Sequence, residues 1–302
     1  MKVSFIVPVF NGGEYLREAV ESILAASADG VETEIVMVDD ASDDAKTCAT
    51  LIELAELPGV KLVRRRFNGG PAAARNSGIR AAGGEWISFL DADDLLMPEA
   101  MQIRCQALKR HPQARWIMGG VRLMIRPGEF APSGHNGPDG IRHGGSPAVV
   151  EARLPATQLV RWNPQSGSAM IAREVFEAVG VFDEDFRIGE DWYFWMLVAM
   201  RFDLFWIDAP LLTVRRHHVS MTSNALHVAR EMPRVMAKAM RDPRFGAVRH
   251  AVRWRLASEL RRASASFRSA GARRLSLGAA LRAVACTPTD IRSVRALLAS
   301  LT

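Results

Sequence analysis

Four times in its first hundred residues the chain alternates a short apolar run with a helical pattern, and no other feature narrows the possible folds as far. The first run, Val3-Ser4-Phe5-Ile6-Val7, stops at Pro8 as a buried strand would. Tyr15, Leu16, Ala19, Val20, Ile23 and Leu24 then share one face at helical period. Residues 34–38 form the second run, ending at Asp39-Asp40, and a helix over 44–57 leads through Pro58-Gly59 to a third strand at 60–64. A helix over 72–82 feeds Trp86-Ile87-Ser88-Phe89-Leu90, which ends at Asp91. Strands alternating with helices predict a parallel sheet with right-handed crossovers. Ligands of open α/β sheets bind outside the carboxyl ends of the strands.

Those ends carry Pro8 to Asn11, Asp39-Asp40, residues 64–70 and Asp91-Ala92-Asp93-Asp94. A phosphate-gripping loop would need glycine amides and a lysine, and neither GxGxxG nor GxxxxGK[ST] occurs. The acidic cluster is the most informative of the four. Asp91 and Asp93 are spaced i, i+2, so in extended chain both carboxylates share a face. Two such oxygens suit a hard divalent cation, Mg²⁺ or Mn²⁺, that leaves positions open for substrate phosphates. The alternative is that Asp93 or Asp94 caps a helix opening at Pro98-Glu99.

Taken in order, Pro8-Val9-Phe10-Asn11, Val38-Asp39-Asp40-Ala41-Ser42, Ala74-Arg75-Asn76-Ser77-Gly78 and Phe89 to Asp94 resemble the nucleotide-sugar half of family 2 glycosyltransferases. The resemblance extends over about residues 1–220 and implies a GT-A type fold, a Rossmann-like, mainly parallel sheet flanked by helices with a C-terminal helical extension. It also implies roles. Pro8, Val9, Phe10 and Asn11 would line the nucleoside pocket, and Asp40, with Asp39 beside it, would bond the base. Asp91 and Ala92 would lie at the ribose and diphosphate, and Asp93, with Asp91, would hold Mn²⁺ or Mg²⁺. Arg75 either shapes the nucleotide site or forms an ion pair with Asp91.

Further along, residues 167–172 and 175–183 resemble the family's strand, helix and turn ahead of its catalytic acidic pair, here Gly189-Glu190-Asp191 opening the apolar helix 192–200. Adjacent helical residues point about 100° apart, so both acids cannot serve one site. The family pattern gives Asp191 as general base with Glu190 in support. The alternative is that both merely complement the helix dipole. Arg215-Arg216-His217 resembles the family's Arg-x-His segment, which would bring His217 to the diphosphate or metal, with His218 as its competitor. Residues 127–147, rich in Gly, Pro and His, fit an acceptor-side flap.

The resemblance thus implies an inverting, metal-dependent transfer of a sugar from a nucleotide-diphosphate donor, a UDP-sugar by expectation, to a hydroxyl of a carbohydrate or lipid-linked acceptor. Surface polysaccharide, glycolipid or other glycoconjugate synthesis is the expected setting. A nucleotide-sugar-binding or scaffold protein that lost turnover is the alternative. A nucleotidyltransferase is disfavoured, because Asn11-Gly12-Gly13-Glu14 is not a lysine-bearing triphosphate loop.

Charge divides the chain. Residues 1–224 hold 23 Lys and Arg against 29 Asp and Glu, a net of −6, while residues 225–302 hold 16 against 4, a net of +12. The expected organisation is a transferase domain over 1–224, with its nucleotide-sugar half in 1–100 and its acceptor half in 101–224, and a basic helical region over 225–302. Leu256, Leu260, Ala263 and Phe267 make a helical stripe beside many arginines, and a final helix covers 291–298. That stripe either lies on an anionic membrane surface or packs on the acidic body. No nucleic-acid partner is expected. Cys48, Cys105 and Cys286 are too scattered for a disulfide framework, and no run approaches the roughly 20 apolar residues of a spanning helix. With no secretory pattern at the amino terminus, the expected location is cytoplasmic, with peripheral attachment to the inner face of the membrane in view.

Overall fold

The structure, a computed structural model, describes residues 1–13, 15–131, 149–150, 156–162, 164–216 and 224–301. Its first half alternates β1 (Lys2–Val9), α1 (Leu16–Ala25), β2 (Glu32–Asp39), α2 (Ala45–Ala55), β3 (Val60–Arg64), α3 (Pro71–Ala81) and β4 (Trp86–Phe89). Then come β5 (Leu95–Leu96), α4 (Ala100–Arg110), β6 (Trp116–Arg126), β7 (Glu129–Phe130), β8 (Val149–Val150) and α5 (Ala156–Leu159). The remainder is β9 (Met170–Ala172), α6 (Arg173–Val179), α7 (Glu190–Ala199), β10 (Phe205–Arg215), α8 (Ala225–Arg241), α9 (Arg249–Ser269), α10 (Arg273–Cys286) and α11 (Ile291–Leu301).

Two compact units result. The first comprises Met1–Leu154, Pro164–Glu184 and Arg201–His217, and the second Pro155–Asn163, Asp185–Met200 and His218–Thr302. The two units are thus interleaved along the sequence. The cause is α7, whose buried Trp192, Tyr193, Phe194 and Trp195 make it apolar all round, so that it needs cover on every side. It packs with α8, and a Cβ on Gly189 would meet Met232 Sδ at 2.8 Å.

All ten described strands belong to the first unit, eight of them in the order β3-β2-β1-β4-β9-β6-β10-β5, with β7 paired to β6 and β8 to β10. The β3-β2-β1-β4 block is parallel, as the alternation predicts. Beyond it β9 runs antiparallel to both β4 and β6, while β6 and β10 are parallel to each other. The sheet is thus parallel in its six longest strands, as expected, with β9 and the two-residue strands β5, β7 and β8 added antiparallel. Two reversals through β9 return β6 and β10 to the direction of β1 and β4, so the carboxyl ends of all four lie on one edge.

Both faces of β1 are buried, which explains its unbroken apolar run. Phe5 and Val7 join Leu16, Val20 and Ile23 of α1 in one core cluster. On the other face, Gly78 of α3 sits so close to Ile6 that a Cβ there would lie 2.3 Å from its Cγ2. The strand runs past Pro8 to Val9, one turn of pleat further than the proline suggests. The reason is local: β1 pairs with β4 only over Val3 to Ile6, so the missing Pro8 N–H faces no strand on that side.

In the second unit the stripe Leu256, Leu260, Ala263 and Phe267 of α9 is buried, and α9 packs with α8, α10 and α11. The stripe is therefore interior to a helical bundle, so of the two alternatives left open the lipid-facing one does not hold for it. Among the described residues no helix is long and apolar enough to cross a membrane.

Candidate functional site

The loops leaving β1 to β4 are braced by the very residues the sequence singles out. Asn11, at φ 51°, is one of two non-glycine residues with positive φ among those described. Its Nδ2 donates to Asp43 Oδ1 at 2.8 Å, and its Oδ1 accepts from the Asp43 and Asp44 amides at 3.1 and 3.2 Å. Asn11 thereby ties the end of β1 to the turn after β2. Phe10, beside it, is 51% exposed. Gly12 packs against Ala92, with 3.5 Å between a Cβ built at Gly12 and that of Ala92, which joins the end of β1 to the acidic cluster.

The two aspartates after β2 differ sharply. Asp40 is 3% exposed. Its Oδ1 accepts from Arg65 Nε at 2.6 Å and from the Gly69 amide at 3.0 Å, and its Oδ2 from the Gly70 amide at 2.7 Å. Gly70, at φ 84°, is the N-cap of α3, with Pro71 following. Asp40 thus serves as the acceptor for a helix start that has no capping side chain of its own. Asp39 Oδ1 accepts the Ser42 amide at 2.9 Å, while Oδ2 has Arg64 Nε only at 4.0 Å. Of the pair, Asp39 keeps the greater acceptor capacity.

On α3, Arg75 is buried, donates to Asp91 Oδ1 at 2.9 Å and lies over the Phe182 ring with Cζ 5.6 Å from its centroid. The Arg75–Asp91 ion pair that the sequence left as an alternative is present, and Asp91 still keeps 44% of its side chain exposed. Asn76 clamps the segment before α7, donating to Phe182 O at 2.9 Å and to Glu184 Oε1 at 2.8 Å and accepting from the Phe182 amide at 3.0 Å.

Asp94 does not cap α4. The N-cap residue there is Glu99, whose side chain makes no capping bond. Asp94 is buried, and its Oδ1 accepts the Arg215 amide at 3.1 Å. Burial pushes its carboxyl well above the ordinary range, and the neighbouring charges of Asp91 and Asp93 push it further. Asp94 thus pins the end of β10 beside the cluster, while Asp91 keeps much of its carboxylate exposed and Asp93 is half-buried. Arg215 also lies over the Tyr15 ring at 4.8 Å and pairs with Glu18. Its Nη1 has no hydrogen-bond partner among the described residues. Tyr15, Arg215 and Arg216 line a cavity of about 80 Å³ with residues 124–127.

Among the described residues no three His, Cys, Asp or Glu side chains gather into a metal-holding group. Asp91 and Asp93 nonetheless fit a divalent cation as a partial set. Both offer hard oxygens, and Mg²⁺-like ions complete their shell with substrate phosphates and water. His217 and His218 lie outside the described residues, as does most of the flap at 127–147.

In the second unit, α7 starts at Glu190 after Gly189 in the left-handed region. Glu190 is buried, whereas Asp191 is part-exposed, in keeping with their divergent directions. Asp191 Oδ1 accepts the Trp192 amide at 2.6 Å. Tyr193 donates to Asp242, which Arg244 also holds at 2.6 Å. Arg65, Asn76, Phe67 and Arg215 were not assigned roles from the sequence. Asn76 and Arg215 lie within motif segments and Arg65 and Phe67 within the strand end at 64–70, which is the signal the sequence held for them, and Phe67 is 70% exposed.

Residues 4–129 match the model of the family described as glycosyl transferase family 2, and this part of the chain belongs to that family. The fold is of the GT-A type. An uncharacterized glycosyltransferase of Rickettsia bellii (strain RML369-C) is 28% identical over 230 residues, 76% of this chain and 32% of that protein. The succinoglycan biosynthesis protein ExoO of Rhizobium meliloti (strain 1021) is 41% identical over 100 residues, 33% of this chain and 28% of its own length. The chain thus spans about a third of the length of these relatives. Among solved structures, S. aureus TarS 1-349 in complex with UDP-GlcNAc aligns with a TM-score of 0.66 at 18% identity, covering 95% of this chain and 82% of that one. The mannosyltransferase PcManGT from Pyrobaculum calidifontis, in complex with GDP-Man and Mn²⁺, aligns at 0.59 and 22% identity over 99% of this chain and 86% of that one.

Proposed function

We propose that this protein is an inverting, metal-dependent glycosyltransferase that moves a sugar from a nucleotide-diphosphate donor to a hydroxyl of a carbohydrate or lipid-linked acceptor in glycoconjugate synthesis. The observation that carries the reading is the division of labour at the strand ends. Asn11, Asp40 and Asp94 brace the loops, while Asp39 and Asp91 keep acceptor capacity beyond the one close bond described above for each. Asp39, an acceptor only, suits a base whose pairing edge offers N–H donors, as uracil and guanine do. A UDP-sugar is the preferred donor, in line with the UDP-GlcNAc bound by TarS 1-349. The exposed Phe10 offers a ring at the same turn, next to Pro8, Val9 and Asn11.

Asp93, with Asp91, would hold Mn²⁺ or Mg²⁺, the former being the ion in the PcManGT complex. The ion would supply neutralisation of charge developing on the departing diphosphate. Arg75 fixes the Asp91 carboxylate from behind. Asp191 takes the proton of the acceptor hydroxyl as that oxygen bonds the anomeric carbon. The carbon's bond to the diphosphate oxygen breaks on the opposite face, its electron pair leaves with the diphosphate, and the configuration inverts. General-base assistance of this kind contributes about 10²–10⁴-fold. Glu190, buried at the helix start, supports Asp191 in its orientation.

Calorimetric titration with nucleotide sugars, with and without Mn²⁺, tests the reading. Asp93→Ala should lose the metal-dependent part of donor affinity, and Asp191→Asn should keep donor binding and lose transfer. Donor affinity indifferent to Mn²⁺ in the wild type refutes the metal assignment, and full turnover by Asp191→Asn moves the base elsewhere. Tight donor binding with no transfer by the wild type would mark a binding protein instead.

A further inference from the structure

The last helix is folded inside out. At 3.6 residues per turn, Ile291, Val294, Leu298 and Leu301 of α11 fall within an arc of about 80°, and they are 62, 39, 60 and 65% exposed. The opposite face turns Ser293 and Ser300 inward, 0 and 9% exposed. This orientation is enforced by hydrogen bonds rather than by apolar burial. Ser293 Oγ accepts from Arg261 Nη1 at 3.0 Å and lies 2.9 Å from Thr287 Oγ1. Arg261 is itself fixed by Asp290 at 3.0 Å, and Asp290 leads into the helix. Ser300 Oγ donates to Leu297 O at 2.7 Å. A helix whose polar side is bonded inward presents its aliphatic side to whatever lies outside.

The surroundings identify what that is. Arg295 and then Arg292 follow one edge of the aliphatic arc, Arg292 paired with Asp290 and with 65% of its side chain exposed. Arg295 is exposed and forms no ion pair among the described residues. On α10, Leu275 and Leu281 are 48 and 51% exposed, in sequence beside Arg274 and Arg282. The stretch 225–302 has 16 Lys and Arg against 4 Asp and Glu. A second copy of this face would set the same arginines against one another. An aliphatic arc bordered by cations matches an anionic bilayer, where apolar side chains enter the acyl boundary and arginines meet lipid phosphates. We infer that the outward face of α11 is a docking surface for anionic membrane lipid. No spanning segment is required, and this assignment stands whether or not the chain transfers sugar.

Sedimentation of the full chain with vesicles tests it. Binding should be strong to phosphatidylcholine containing phosphatidylglycerol, weak to phosphatidylcholine alone, and reversed by high salt. Leu298→Glu should weaken it about tenfold or more, since an apolar side chain is lost from the lipid and a like charge is brought to the surface. Leu298→Trp should retain it, because an indole suits the interface. Arg295→Glu, which changes an exposed side chain and spares the arc, should weaken it as well, and this variant carries the test should Leu298→Glu melt early. Equal binding to both vesicle types overturns the inference, as does unchanged binding by both charge-reversing variants. Self-association of the wild type that Leu298→Glu abolishes would assign the face to a second copy and equally overturn it.

Discussion

Replacing Asp40 by alanine separates a bracing role from a ligand role, because the structure fixes what is lost. The carboxylate is 3% exposed and receives Arg65 Nε at 2.6 Å, the Gly69 amide at 3.0 Å and the Gly70 amide at 2.7 Å. Breaking a buried pair by removing one partner typically costs about 3–5 kcal/mol. Arg65 keeps Ala73 O at 3.1 Å and Ser77 Oγ at 2.7 Å, which moderates that figure. The stranded amides at the start of α3 add about 1 kcal/mol each where water cannot reach them. The expected total is about 3–5 kcal/mol, or roughly 6–20 °C in melting temperature at about 2–4 °C per kcal/mol for a unit of this size. Asp39→Ala removes one amide acceptor, from Ser42, and a distant, half-exposed Arg64, so about 1 kcal/mol is expected. Urea unfolding followed by circular dichroism gives the stabilities, and calorimetric titration at a temperature where both variants are folded gives donor affinity. Asp40→Ala should lose stability first, and Asp39→Ala affinity first. An Asp40→Ala variant as stable as the wild type that no longer binds donor refutes the reasoning.

Glu34 is the group whose ionisation should register in acid. Burial raises its pKa, but Lys61, Ser4 and the Gly83 amide together outweigh this and bring it from an ordinary 4.5 down to about 2. A depressed folded value contributes stability that is complete above 4.5 and is lost as pH falls towards 2, so Glu34→Gln should flatten that part of the stability-against-pH curve; an unchanged acid limb would count against it. Gly78→Ala forces a methyl to within 2.3 Å of Ile6 Cγ2, so overpacking should cost about 1–3 kcal/mol and disturb the Arg75–Asp91 pair one turn away. A wild-type melting curve for that variant would show that α3 and β1 separate without penalty. Tyr193→Phe leaves Asp242 with Arg244 but without the phenol, and thermal melting should show a loss of about 1 kcal/mol; no change would mean that the hydroxyl is redundant.

The parallel block was legible because β1, β2 and β4 are largely buried on both faces and so write apolar runs, and the partly exposed edge strand β3 also appears at the residues its pattern gives. The mixed half was not. β9 is three residues long, and β5, β7 and β8 are two each, too short for any period to register. The α9 stripe was visible as a stripe, but periodicity does not say what a helical face meets. Here it meets α8, α10 and α11. On α11 the reverse holds, its aliphatic residues pointing outward while Asp290, Arg261 and Thr287 hold Ser293 in. A three-residue polar bond network leaves almost no pattern in a sequence.

Most of the motif residues that carry the family likeness turn out to hold loops together. Asn11 bonds the turn after β2, Asp40 the start of α3, Asn76 the segment before α7, and Gly78 lets α3 approach β1. Any protein that keeps this arrangement of strand ends needs those residues, whether or not it turns over a substrate. On the proposed reading the chemistry depends on a smaller set, Asp39, Asp91, Asp93 and Asp191, none of which carries a bracing role of the kind just described. A family match over residues 4–129 therefore speaks first for the scaffold. Turnover rests on the acids that could be exchanged for amides with the least damage to folding. Those amide exchanges, more than alanine substitutions at the motif positions, are where binding and catalysis separate from stability.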